Sequence, residues 1–151
     1  MTVVCNVNTV ATSIAGLTVS GVTIKDLNAI PDTASMLTPI VFPQPNGYMT
    51  NVAMTFESFG SNGAAKMNFE YDLNYVFLYA EVGSGINAFA PYSGLMTKLA
   101  LILVTIFSND AISGLVDMKL GSVGNVGVIA DPTDKNFWGV LFTLHVLEYS
   151  Q

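Results

Sequence analysis

Arginine is absent from this 151-residue chain, and cysteine and histidine occur once each, as Cys5 and His145. Charged residues of any kind make up only 11%, against about 25% in ordinary globular domains. Each scarcity excludes something. Arginine supplies the forked contacts that suit phosphates and guanine edges. Without it, five scattered lysines (Lys25, Lys66, Lys98, Lys119, Lys135) and a net charge of −6 argue against nucleic-acid binding and against an anionic membrane surface. One cysteine forbids an intrachain disulfide, so folding in a reducing cytoplasm is expected. One cysteine and one histidine, 140 positions apart, leave no convergent ligand set for a metal. Long apolar runs are missing too. Leu95 to Phe107 falls short of the roughly 20 residues that span a bilayer and contains Lys98. Met1 to Gly21 is interrupted by Asn6, Asn8, Thr9, Thr12 and Ser13, so no secretory leader is expected there. A soluble chain is expected.

What the chain has in excess is apolar surface. Hydrophobic residues make up 51%, with too little polar covering to match. Residues 1–151 suit one domain, which at this size buries roughly 68–70% of its unfolded surface. No metal or disulfide is needed to hold its core. The surplus is expected to leave apolar surface for a protein partner.

Periodicity places the elements. Val3, Val7, Val10 and Ile14 share a helical face with Val4 and Ala11 beside it, and Gly16 is placed to end that helix. Val22 to Leu27 and Pro39 to Phe42 read as short strands around a turn-rich Asn28 to Thr38. Gln44-Pro45-Asn46-Gly47 turns the chain into a strand from about Tyr48 to Phe59, with Tyr48, Val52, Met54 and Phe56 on one face. Gly60-Ser61-Asn62-Gly63 signals a hairpin. Next, Met67, Phe69, Tyr71, Leu73, Tyr75, Phe77 and Tyr79 alternate with Lys66, Asn68, Glu70, Asp72, Asn74, Val76 and Leu78. This is a long antiparallel strand, covered on both sides where Val76 and Leu78 replace polar residues.

Gly83-Ser84-Gly85 ends that strand, and a helix follows from about Tyr92 to Asn109. Its polar stripe holds Thr97, Thr105 and Ser108, but also Leu101. Either that side meets another subunit or Leu101 is an ordinary exposed leucine. Val116, Met118 and Leu120 then alternate with Asp117 and Lys119. A Gly-rich connection through Gly121 and Gly124 precedes a strand at Val126 to Ala130. Asp131 to Asn136 is a turn. The last strand, Val140 to Tyr149, turns Val140, Phe142, Leu144 and Val146 inward. The expected fold is α+β, a mainly antiparallel β-sheet with two helices packed on it.

Chemistry is sparse. His145 and Glu148, three apart on a strand, point to opposite faces. His145 reads as a hydrogen-bonded sheet histidine, and no serine has the surroundings of a nucleophile elbow. Cys5, at the edge of an apolar helical face, reads as inert. Glu70 and Asp72 share a polar strand face, which is either solvated or lines a pore or subunit contact. The glycines form no phosphate cradle. No catalytic, cofactor or metal residue is expected.

Tyr71-Asp72-Leu73-Asn74-Tyr75-Val76-Phe77-Leu78-Tyr79-Ala80-Glu81-Val82-Gly83-Ser84-Gly85 resembles a segment of small neck and tail proteins of long-tailed bacteriophages. So does Gly124-Asn125-Val126-Gly127-Val128-Ile129-Ala130-Asp131-Pro132, followed by Phe137-Trp138-Gly139. With the size and element order, the chain is most similar to the tail terminator (tail completion) family. The resemblance implies a ring, usually hexameric, that caps the finished tail tube and meets the head–tail connector protein. It implies a virion protein assembled in the host cytoplasm, with itself and the tail-tube protein as partners. No catalytic role is carried over. Lacking arginine, such a ring would have an acidic or neutral lumen that repels DNA. A ring-former needs two complementary side surfaces. Candidates for subunit or ring-to-ring contact are Thr97, Leu101 and Thr105 on the helix, and Gly83, Ser84, Gly85, Gly121, Gly124 and Asn125 in loops. Rival readings are a tail-tube or head-completion protein, a small-ligand domain using Tyr71, Tyr75, Phe77 and Tyr79, and a hydrolase using His145.

Overall fold

The computed structural model describes residues 4–30, 38–58, 65–83, 90–131 and 133–149. In chain order these form α1 (Val7–Ala15), β1 (Thr23–Ile24), a 3-10 turn (Leu27–Ala29), β2 (Ile40–Pro43), β3 (Met49–Ser58) and β4 (Ala65–Glu81). Then come α2 (Tyr92–Phe107), α3 (Asp110–Ser113), β5 (Asp117–Val123), β6 (Gly127–Ala130) and β7 (Asn136–Tyr149). The architecture is α+β, with seven strands in one sheet. Only β1 and β2 pair in parallel; every other pair is antiparallel.

The two long strands β4 and β7 form the spine, paired from Asn68–Tyr149 to Glu81–Phe137. Along one edge of this spine β3 and then β2 pair with β4, and along the other β5 and β6 pair with β7. The alternation read in β4 sets the layers. Tyr71, Leu73, Tyr75 and Phe77 turn to the helix side and are buried with Phe142, Leu144 and Val146 of β7. The same core holds Val10 and Ile14 of α1, and Leu95, Leu99, Ile102 and Ile106 of α2. Each such side chain contributes roughly 1.5–3 kcal/mol by leaving water, which offsets the poor helix propensity of Val and Thr in α1. Val76 and Leu78 face the other way and are buried against Ile40, Phe42 and Phe137, so that end of the sheet is covered on both sides.

Several details differ from the sequence reading. The strand read from Val22 to Leu27 is only Thr23–Ile24, and Leu27 starts a 3-10 turn, where the Asp26 carboxylate accepts the Leu27 amide at 2.7 Å. A third helix, α3, follows α2 because the Asn109 carboxamide accepts the Ala111 amide at 3.0 Å and starts a new turn. Gly121 lies inside β5, at an irregularity opposite β7, and not in a connection. Cys5 precedes α1 instead of lying on it. The final strand starts at Asn136, earlier than Val140. The hairpin turn at 60–63 lies outside the described residues, as do Val3 and most of the segment from Asn28 to Thr38.

Candidate self-assembly surfaces

Helix α2 is built to bury one side, yet its other side is not polar. Its one charged residue, Lys98, donates from Nζ to the Ser20 carbonyl at 2.7 Å. The Thr97 hydroxyl donates back to the Ser93 carbonyl at 2.8 Å, and Thr105 to the Leu101 carbonyl at 2.7 Å. These hydroxyls are taken up by the helix's own carbonyls. Leu101, 42% exposed, stands between these threonines. Beside it Val104 is 62% exposed, and Met96 and Phe107 are also bare. Apolar side chains are therefore left bare on α2, and also on β3, β5, β6 and β7.

Two further apolar surfaces flank the sheet. Between α2 and β5 runs a groove of about 500 Å³ lined by Leu103, Val104, Phe107, Ser108, Lys119 and Leu120. On the opposite edge, Met54 and Phe56 of β3 are 61% and 59% exposed. The reason is geometric. Met54 and Phe56 pair with Phe69 and Met67 on the helix side of the sheet, in a part of the hairpin that no helix among the described residues covers. The register also slips between Thr50 and Ala53, where Asn51 takes φ 53° and donates from Nδ2 to Asp72 at 2.8 Å. That slip removes Val52 from the simple alternation with Tyr48.

The loop candidates fare differently. Gly83 is exposed just after β4, while Ser84 and Gly85 lie outside the described residues. Gly121 and Gly124 are close strand approaches: an added Cβ would lie 3.1 Å from the Thr143 carbonyl and 3.1 Å from the Leu141 carbonyl, respectively. The Gly124 amide also donates to the Leu141 carbonyl at 2.7 Å. Asn125 is exposed. The described candidates thus fall on separate elements: Thr97, Leu101 and Thr105 on α2, Gly121 within β5, Gly124 and Asn125 just after it, and Gly83 just after β4.

The polar side of the sheet gathers the only histidine. His145 Nδ1 lies 2.7 Å from Asp72 Oδ1, and Nε2 lies 2.9 Å from Glu70 Oε1. A neutral ring can donate to one of these carboxylates; the protonated ring donates to both. Both ring nitrogens are taken up by carboxylates of β4, so the arrangement ties β7 to β4. Next to it Thr143 donates to Asn74 Oδ1 at 2.7 Å, continuing the polar row.

Sequence reasoning missed Glu148. It shares the core parity of Val146 and Leu144 and is buried. Its carboxylate accepts from the Tyr71 hydroxyl at 2.7 Å and from the Asn6 amide at 2.6 Å, with Cys5 Sγ at 3.8 Å. The group fastens the start of α1 to the sheet. Burial first, then the nearby carboxylate, pushes the Tyr71 hydroxyl well above its ordinary value, and burial also raises the Cys5 thiol. The parity of β7 was the available signal, since Glu148 lies on its apolar side.

The core tyrosines are packing residues. Tyr75 stacks on Phe142 at 5.6 Å between ring centroids, and its hydroxyl meets that of Tyr48 at 2.7 Å. Among the described residues no group of three or more His, Cys, Asp or Glu could hold a metal ion. Nor is any described helix long and apolar enough to cross a membrane. In comparison with known proteins, no family model matches the chain and no curated protein matches it.

Proposed function

We propose that this chain is an assembly subunit: a structural virion protein that forms a homo-oligomeric ring at the head–tail junction of a long-tailed phage. In this reading the ring caps the tail tube and joins it to the head connector protein. The observation that carries the self-assembly is the bare apolar side of α2 around Leu101 and Val104, together with exposed Met54 and Phe56. Exposed apolar surface of this kind marks interaction sites. The placement in a virion rests on the resemblance of the Tyr71 to Gly85 and Gly124 to Gly139 segments to tail terminators. A tail-tube or head-completion role is the second reading, because the same bare surfaces suit a stacking subunit.

Light scattering with negative-stain images tests both. Discrete rings, six-membered by the resemblance, are expected; long tubes would favour the tube protein. A chain that stays monomeric when concentrated and joins no virion component would overturn the proposal. Leu101→Glu is expected to reduce oligomer mass while circular dichroism shows the monomer still folded. Unchanged mass would remove this side of α2 from the interface.

A further inference from the structure

The two open edges of the sheet match each other. In the half of the sheet that carries β3, the rows run β3, β4, β7, β5, each antiparallel to the next. Among the described residues β3 pairs only with β4, and β5 only with β7, so each keeps one unpaired edge. Such edges are templates for pairing with another chain. Consider a second copy set beside the first, its helices on the same side and its strands pointing the same way. Its β3 then lies beside β5 of the first copy. Because the rows number four, these strands run in opposite directions, and the join is an ordinary antiparallel pair.

The faces match as well. Met54 and Phe56 stand on the helix side of β3, through their partners Phe69 and Met67. Met118 and Leu120 stand on the helix side of β5, through Val146 and Leu144. Beside them lies the empty apolar groove under Val104 and Phe107. We propose that the subunit contact is this sheet continuation: β3 of one copy pairs with β5 of the next, and Met54 and Phe56 fill the groove between α2 and β5. The inference rests on the self-assembly reading and names its surfaces.

Burial also selects the register. In a flat continuation Met49 would face Leu120, and Met54 and Phe56 would fall beyond the start of β5 at Asp117. Sliding the copies by four residues, the separation of Glu148 and Leu144 on β7, sets Met54 against Leu120 and Phe56 against Met118. An even slide keeps every side chain on its own face. Stagger of this kind accompanies the curving of a sheet into a closed barrel. The slide also runs β3 along the full length of β5. On the polar side it brings Lys119, which makes no ion pair among the described residues, towards a neighbour of net charge −6. The interface is head-to-tail, so it closes into a ring or grows open-ended, as the proposed function requires.

The test uses full-length chains carrying Cys5→Ala, one with Met54→Cys and one with Leu120→Cys, mixed and oxidised. Facing residues of an antiparallel pair lie within disulfide reach. A cross-linked dimer is expected from the mixture, and none from either variant alone. Phe56→Glu is expected to weaken association by at least about tenfold on dilution, as for a buried interface anchor. Self-linking of Met54→Cys would overturn the proposal in favour of a two-fold β3 pair. Linking of Met49→Cys, but not Met54→Cys, to Leu120→Cys would overturn the register. Oligomers that form with neither link would refute this contact and leave self-assembly standing. A monomeric parent chain would instead refute self-assembly itself.

Discussion

A buried carboxylate is costly unless its oxygens are used, and Glu148 uses both. Tyr71 and the Asn6 amide donate to it inside the sheet–helix seam. Glu148→Ala is expected to cost about 2–4 kcal/mol, because it removes bonds to a charged group and strands a buried hydroxyl. Tyr71→Phe removes one donor and leaves the other, so about 1–2 kcal/mol is expected. Urea unfolding of the two variants checks the order; a milder Glu148→Ala would mean that α1 is not fastened there. Asp72 allows a test by pH. Burial acts to raise its carboxyl, but hydrogen bonds from Asn51 and His145, and the charge of the protonated ring, outweigh it and hold the group below its ordinary value. A folded-state value lowered in this way gives stability that is present at neutral pH and lost as pH falls through it. The melting-point gap between the parent and Asp72→Asn should therefore be present above the ordinary carboxylate range and close as pH falls below it. A gap that widens in acid would contradict this sign.

Between elements, the tightest demand falls where β4 meets β7. A Cβ on Gly139 would strike the Phe77 carbonyl and the Leu78 side chain, at a place where the spine strands also slip register. Gly139→Ala is expected to cost at least about 2 kcal/mol, as overpacking in a fixed backbone does. Gly127→Ala, where a Cβ meets nothing within 4 Å, should stay within about 0.5 kcal/mol. Equal losses would show that the close approach is not what matters. The same contrast explains what could be read in advance. Sustained alternation in β4 and β7 declares both period and buried face, because both strands are central and every neighbour agrees with the pattern. For β3 the pattern gives the strand but not its burial, which depends on whether a helix reaches that end of the sheet. A one-residue slip at Asn51 leaves no mark in composition. Leu101 was legible as an apolar intruder in a polar stripe. The larger surface around Met96, Val104 and Phe107 was not, since periodicity cannot say that Thr97 and Thr105 spend their hydroxyls on the helix's own carbonyls. Gly121 and Gly124 read as loop residues, because a glycine that admits a neighbouring carbonyl has the same letter as one that turns.

For the molecule as a whole, the balance of forces follows from few charges and many bare apolar groups. Each copy carries a net charge of −6, so approaching copies repel at long range. The surfaces offered for contact, α2 and the helix side of β3, are nearly uncharged and attract only on desolvation. The two terms respond to salt in opposite senses. Mobile ions shorten the range of repulsion from about 30 Å at 0.01 M to about 3 Å at 1 M. They leave apolar burial intact, and sulfate strengthens it. Association should therefore tighten as salt rises from about 0.02 to about 0.5 M, more with sulfate than with chloride. Light scattering across that range, at a protein concentration near the midpoint of assembly, measures the sense of the change. An assembly held by ion pairs would do the reverse and fall apart in salt. That outcome would move the contact off the apolar face of α2 and onto Lys119 and the acidic row of β4.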